Sequence, residues 1–508
     1  MSFSRLPLVP ALRSVLLAAV LSSAWSGPVF PQVATDCRAG SGDARQILAR
    51  GIASTGLERL GRPALGLKLS EMVSQDYQSD RAYPPYLQEG RHSTYWYYPE
   101  HGLETTIGTG LNPFGERRLF PAWSTARGTW IRRDSVLQPV PPLHPFTLQS
   151  RPLNAWAVLA DWAGDPSVRV TGRCTVRDFP RVRLARTGSL AEEHLYLDPS
   201  SGLPVQYELE VNDFSGLWGR QLVAYVYSNW VKVGEAQYPM ASFRLVDGEV
   251  NVTRVAAPLP ADSVPPAAPA ITDTTDMRQV STPPSPAPDT VRVAANTWLL
   301  RTRFYTNVVT LVRDTVFILD AQYTGEERAR QDSTWIAKLF PGRHPLVLVV
   351  SDLAWPHIAG VRSWVAMGAT VVAHQSTKAF LTRVVEHRWT SAPDLLEKRR
   401  GRARFTFVAV NDSLALAGGA VRVYPINGIG SEGSLMTWIP GERFLYAGDY
   451  VQGLTGPSMA YAAEVAAAAE RVRATPERFA AMHMGLTAWA DLQKALQASA
   501  SPPAMGTD

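Results

Sequence analysis

The chain has 508 residues, with 50 Lys and Arg against 45 Asp and Glu, a net charge of +5 and 45% hydrophobic residues. The basic residues are scattered, with one tight cluster from Lys398 to Arg404, so no broad nucleic-acid-binding face is expected. The length and apolar content instead suit two folded units, each able to bury its own core.

The start of the chain reads as an address. MSFSR supplies a positive beginning, Leu6 to Ala24 is apolar but broken by Pro7, Pro10 and Arg13, and small residues follow. This is the pattern of a secretory signal peptide over residues 1–34, cleaved between about Ala24 and Ala34. The interrupted run falls short of the roughly 20 residues needed to span a bilayer, and no later segment is long and apolar enough. A secreted or periplasmic protein is expected. Cys37 and Cys174 could close one bridge in an oxidising compartment, and they are not spaced as metal ligands.

Residues 38–255 read as a β-rich unit, a curved antiparallel sheet or open half-barrel. Asp43 to Ser54 and Pro63 to Glu71 predict short helices near its start. Alternating, aromatic runs follow at Ser93–Tyr98, Leu103–Thr109, Val168–Val176, His194–Leu197, Val205–Val211, Gln221–Val233 and Ala241–Leu245. Hairpin turns are predicted at Asp198–Pro204 and near Gly234. The LDPSSGLP turn and the YSNW…YP pair weakly resemble the open barrels of bacterial lipoprotein carriers. Tyr95, Trp96, Tyr97, Tyr98 and Trp230 either fill an ordinary core or line a groove for a lipid or peptide.

Residues 256–290 are rich in Pro, Ala, Ser and Thr, a composition that cannot bury enough surface to order itself, so a linker is expected. After it, residues 291–500 carry strands and helices in alternation. Strands are predicted at Thr297–Arg301, Asn307–Arg313 and Thr315–Leu319, then a helix at Gly325–Leu339 and a strand at Pro345–Val350. A helix at Gly360–Met367 and strands at Thr370–Ala373, Phe405–Val410, Ser413–Leu416, Val421–Pro425, Ser434–Ile439 and Phe444–Ala447 come next. The Ala-rich run gives a helix at Pro457–Val472, followed by a strand at Phe479–Met482 and a last helix at Thr487–Gln497. Two clusters of strands with helices outside them make a four-layer αββα sandwich.

LVLVVSDLAWPHIAGV (346–361) is the most informative stretch. An unbroken Leu/Val run is a strand covered on both faces, and the loop past its carboxyl end is where side chains converge. That loop holds Asp352 and His357; Asp449 and His483 follow two later apolar runs in the same way.

These blocks, from about Ala294 to Leu496, resemble the metallo-β-lactamase-fold superfamily. NTWLLRTRFYTNVVTLVRDTVFILD is similar to its opening hairpin and aspartate-ended strand, and VVSDLAWPHIAGV sits at its T-H-x-H-x-D-H-x-G-G signature. GSLMTWIPGERFLYAGD resembles the approach to its bridging aspartate, and MHMG the position of its final histidine. The resemblance implies the same sandwich and a metal site. The signature is degenerate: its histidines and aspartate fall on Asp352, Ala354, Pro356 and His357, and a further histidine falls on Gly430. Three positions thus carry side chains that cannot coordinate.

What the resemblance leaves is one site made of His357, Asp449 and His483, for zinc or another divalent ion, with Asp352 as general base or orienting partner. A bound cation lowers the pKa of water from about 16 toward about 7 and polarises an ester, amide or phosphoryl oxygen. Asp320, ending VFILD, is read as structural, His374 as near the site without a ligand position, and the other histidines as surface residues. Three functions stay open. They are an exported one-metal hydrolase of a small-molecule or envelope-derived substrate, an inactive relative that binds a ligand or envelope partner, and a lipid or lipoprotein carrier with the sandwich as accessory.

Overall fold

The structure is a computed structural model. It describes residues 36–500 less 57–64, 76–86, 99–100, 102, 113–114, 119–120, 134–135, 141–150, 177, 189, 214, 234, 260–286, 303–304, 323, 429–432 and 456–458. The expected signal peptide, most of the expected linker, His144 and Gly430 lie outside the described residues.

The first part of the chain forms a 15-stranded sheet. Asp36–Ala39 pairs with Arg169–Val176, and antiparallel neighbours run in sequence from there through Phe179–Thr187 to Glu249–Pro258. Leu65–Gln75 then adds to Glu249–Pro258, and Leu87–Tyr98, Leu103–Asn112 and the shorter strands to Val136–Val140 continue outward. The Cys37–Cys174 disulfide pins the first strand, the two cysteines being register partners. The sheet extends to Pro258, three residues into the stretch expected to be linker.

Two helices cover one face of this sheet. Ala44–Thr55 is the predicted one, capped by the Asp43 carboxylate accepting from the Arg45 and Gln46 amides. It stops at Gly56 (φ 69°), where any Cβ would press on the Glu235 carbonyl. The second, Ala155–Ala163, went unread in the sequence although Asn154 caps it; it buries Trp156 and Trp162 completely against Tyr97, Tyr238, Tyr207 and their neighbours. The helix predicted at Pro63–Glu71 is wrong: Leu65–Gln75 is a strand. Its Leu67, Leu69 and Val73 point to the covered face while Lys68, Ser70 and Met72 point outward, a period of two that outweighs helix propensity.

Beyond residue 287 lie a 7-stranded and a 6-stranded sheet. Val316 and Ile318 face the helices Gly325–Leu339, Val361–Ala366 and Lys378–Glu386, while Phe317 and Leu319 face the other sheet. Leu435, Phe444, Tyr446 and Ala480 answer from the 6-stranded sheet, whose far face packs under Met459–Arg471 and Trp489–Ala500. Four layers, αββα, follow directly from that alternation. The predicted elements here hold within a few residues; Thr487 and Ala488, expected to open the last helix, instead end a strand, Met484–Ala488.

A contact crosses between the two parts. The loop after Pro204–Asn212 is clamped by the Asp213 carboxylate, which accepts from the amides of Ser215, Leu217 and Trp218. It drives Leu217 and Trp218 into the helical layer of the sandwich, where Trp218 meets Phe380 and His387 edge-on and lies under the Arg383 guanidinium. His387 is therefore half-buried, not the surface residue its polar neighbours implied. Trp218→Ala should cost about 3–5 kcal/mol in a denaturant unfolding curve, whereas Met72→Ala on the open face should stay within about 0.5 kcal/mol. Equal, small costs for both would show that the finger does not couple the two parts.

Candidate metal centre

The site forms where the two sheets meet at the ends of their central strands. Leu346–Val349 lies parallel between Thr315–Leu319 and Thr370–His374, so the chain leaving it emerges between two neighbours pointing the same way. Ser351, Asp352 and the helical turn Trp355–Ile358 follow at once. Backbone hydrogen bonds then sew the loops together: Leu435 N to Ser351 O at 2.7 Å, Met482 N to Gly448 O at 2.8 Å and Thr306 N to Met482 O at 2.6 Å. Gly448 (φ 58°) has no alternative, because a Cβ there would collide with the Ser351 hydroxyl.

Asp320 anchors the centre. Fully buried at the end of its strand and held at φ 70°, it accepts four hydrogen bonds. Its Oδ1 receives the Ser351 amide at 2.7 Å; its Oδ2 receives the Ser351 hydroxyl, the Tyr446 hydroxyl and His357 Nδ1, each at 2.8 Å. Orienting His357 through Nδ1 leaves Nε2 facing the cleft, 3.9 Å from Asp352 Oδ1 and 3.7 Å from Asp449 Oδ1. Asp352 is itself fixed by accepting the Ala354 amide at 2.7 Å.

His357, Asp352 and Asp449 present ligand atoms all within 4.8 Å of one another. His483, in the tight turn between Arg478–Ala481 and Met484–Ala488, adjoins them with Nε2 2.9 Å from Asp449 Oδ1. Its ring packs beside Tyr305 at 5.2 Å. All four residues singled out in the sequence thus come together. Asp352 belongs to the inner group, where sequence had placed it as base or orienting partner, and His483 touches that group through Asp449. Two further contributors, Ser351 and Tyr446, had no sequence signal beyond their places at strand ends. His374 is occupied elsewhere, its Nδ1 lying 2.8 Å from the Ser376 hydroxyl at the start of a helical turn.

Charge is unevenly shared. Burial alone would strip the proton from His357, but the Asp352 and Asp320 carboxylates beside it reverse this and hold the imidazole cationic well above its ordinary range. Burial, the Asp449 and Asp320 charges together outweigh the imidazolium and push Asp352 up to about 7. Burial also acts against the Asp449 anion, yet His357 and His483 overcome it and keep that carboxyl well below the usual range. His357 Nε2 is buried without a hydrogen-bond partner among the described residues, while Asp449 Oδ1, 3.7 Å from it, is in contact with His483 Nε2 at 2.9 Å. An imidazole nitrogen and two carboxylate oxygens that converge at 3.7–3.9 Å, beyond hydrogen-bonding reach, leave room for something between them. A centre of two imidazoles and two carboxylates with no thiolate suits zinc or a similar divalent ion.

No protein-family model matches the chain, and no curated protein matches it. Among solved structures it is similar to the DIM-1 metallo-β-lactamase, at 16% identity over 43% of this chain and all of that one, with a TM-score of 0.33. TMB-1 (16% identity, 42% of this chain and 99% of that one, TM-score 0.32) and a metallo-β-lactamase from Pontibacter korlensis (14%, 41% and 97%, 0.32) are alike in the same way. These partial likenesses neither fix a family nor transfer a role.

In the metal-free protein the Asp352 carboxyl should take up its proton as pH falls through about 7. Its folded value lies above the ordinary 3.8, so ionised Asp352 weakens the fold above that pH. The penalty is relieved as pH drops from about 7 toward the ordinary aspartate range. Carboxyl-labelled NMR should show one aspartate titrating near neutrality and losing its signal in Asp352→Asn; no such aspartate would remove the account of charge given above.

Proposed function

We propose that this centre binds one divalent cation, zinc or a close relative, and that the chain is an exported metal-dependent hydrolase. The reading is carried by His357 Nε2, buried with no hydrogen-bond partner among the described residues and facing the carboxylates of Asp449 and Asp352 at 3.7 and 3.9 Å. His357, Asp352 and Asp449 would hold the ion, with His483 completing the set. When bound, such an ion supplies Lewis acidity toward a carbonyl or phosphoryl oxygen. By the resemblance, Ala354 and Gly430 fall on two of the three ligand positions of the other metal site, which supports one ion and not two.

The chain's own groups then divide the work. Asp320 keeps the His357 imidazole in one orientation, sparing the site reorganisation. Asp352, fixed by the Ala354 amide, is placed either to complete the hold on the ion or to accept a proton from attacking water. His483 and Asp449 stand at the more exposed mouth. Tyr305, half-buried beside His483 and backed by the buried Trp355, offers aromatic surface there for a small-molecule or envelope-derived substrate.

Export is supported by the apolar, positively flanked beginning of the chain and by the Cys37–Cys174 bridge. Among the described residues no helix is long and apolar enough to cross a membrane. Two folding units, joined through 260–286, remain the organisation that composition and the separate cores support.

Zinc content and calorimetry on the purified full chain provide the test. About one ion should bind per chain, His357→Ala and Asp449→Ala should lose it, and Asp320→Asn should weaken it by about 10–100-fold, a thermal melt of each variant separating lost binding from lost fold. Affinity should fall at lower pH, since the ion must displace the proton on His357. Absence of any saturable binding would overturn the proposal. Binding without turnover of esters, amides or phosphoesters would leave a cation-dependent binding protein in place of an enzyme.

A further inference from the structure

The face of the large sheet covered by the two helices carries several buried guanidinium groups, and they are not equally served. Arg254 pairs with Glu71 at 2.6 Å, Arg151 with Glu104 at 3.4 Å and Asp161 at 2.8 Å, and Arg186 with Glu193 at 2.7 Å. Arg244 is the exception. It is only 7% exposed, and its Nε and Nη1 are buried with no hydrogen-bond partner among the described residues.

Its position is well defined. On Ala236–Val246 it stands opposite Tyr225 on one neighbouring strand and Val252 on the other, with Val73 next beyond Val252. Arg254 is the diagonal neighbour across the strand boundary, and its charge is already matched by Glu71. Among the described residues no carboxylate pairs with Arg244, whose neighbours in the register, Val73, Val223, Tyr225 and Val252, are all nearly or fully buried. The site lies two residues from the end of its strand, beside the hairpin turn at Asp247 and Gly248, and so near the rim of the sheet.

A guanidinium does not escape burial by losing its proton, and an uncompensated buried charge costs several kcal/mol. Native structures meet that cost with a partner anion or ordered water. We propose that Arg244 is the anchor of an oxyanion site, taking the carboxylate or phosphate group of a ligand that enters at the sheet rim. The planar fork of an arginine suits either group, since both present two oxygens at matching spacing. The site is separate from the cation centre and does not depend on the reading of that centre.

The purified full chain, titrated at constant ionic strength with inorganic phosphate and separately with decanoate, tests this by thermal unfolding. At least one probe should raise the melting temperature saturably. Arg244→Leu should weaken that binding about tenfold or more, and Arg244→Lys, which keeps the charge without the fork, should keep part of it. A response to decanoate alone identifies a carboxylate on an apolar chain, and a response to phosphate alone identifies a phosphoryl group. His357→Ala should bind the probe as the wild type does. If neither probe acts on the wild type, or if Arg244→Leu responds equally, the site is occupied by water only and the proposal fails. Should Arg244→Leu not fold, the Arg244→Lys comparison decides the same question.

Discussion

One buried carboxylate organises the second half of this protein. Asp320 gathers Ser351 and His357, from the segment after Leu346–Val349, and Tyr446, from the end of Phe444–Tyr446, and it does so with no exposure to solvent. A lone buried carboxylate would be costly; with four donors it becomes a rigid hub whose loss would leave those donors unpaired. The hub works because the surrounding backbone is over-determined. The left-handed turn at Asp320 is held by its amide bonding Val349 O, and Ala321 N bonds His357 O behind the imidazole. Strain at a site of this sort persists only when neighbours hold it in place.

The finger from the large sheet reaches the reverse side of the same structure. Gly216 lies against Ala359, two residues after His357, and Gly360 N bonds Ala321 O at 2.6 Å. The turn carrying His357 is thus fixed by Asp320 on one side and backed by the Leu217–Trp218 loop on the other. Packed interfaces transmit displacement because they have little free volume to absorb it. Geometry at the imidazole is therefore tied to a contact made by a loop some 140 residues earlier in the chain.

The sandwich was legible in sequence because its strands carry two-sided apolar runs and its helices have strong periodicity. The Gly325–Leu339 helix and the Val421–Pro425 strand were read to the residue. His357, Asp352, Asp449 and His483 were legible for a related reason: each follows an apolar run at a strand end. Ser351 and Tyr446 were not, since a serine or tyrosine at such a place is ordinary and only the fold shows that both face Asp320. In the large sheet the strands were visible but one was misread. LGLKLSEMV alternates, and a neighbouring proline drew the reading toward a helix start. The helix at Ala155–Ala163 was hidden by its own composition: AWAVLADWA is apolar on nearly every side, because it is buried on nearly every side.

Three carboxylates, Asp320, Asp352 and Asp449, surround the fully buried imidazole of His357. Such a cluster cannot remain fully ionised around a neutral ring in a dry setting. It must gather positive charge, and two sources compete for the same space. Protons supply it in the metal-free protein, which is why His357 is held cationic and Asp352 is driven toward neutrality. A divalent ion would supply it in their place, with His357 Nε2 and the Asp352 and Asp449 carboxylates already converging on one point. Three carboxylates packed about one imidazole make the demand for a compensating cation an electrostatic property of the cluster itself.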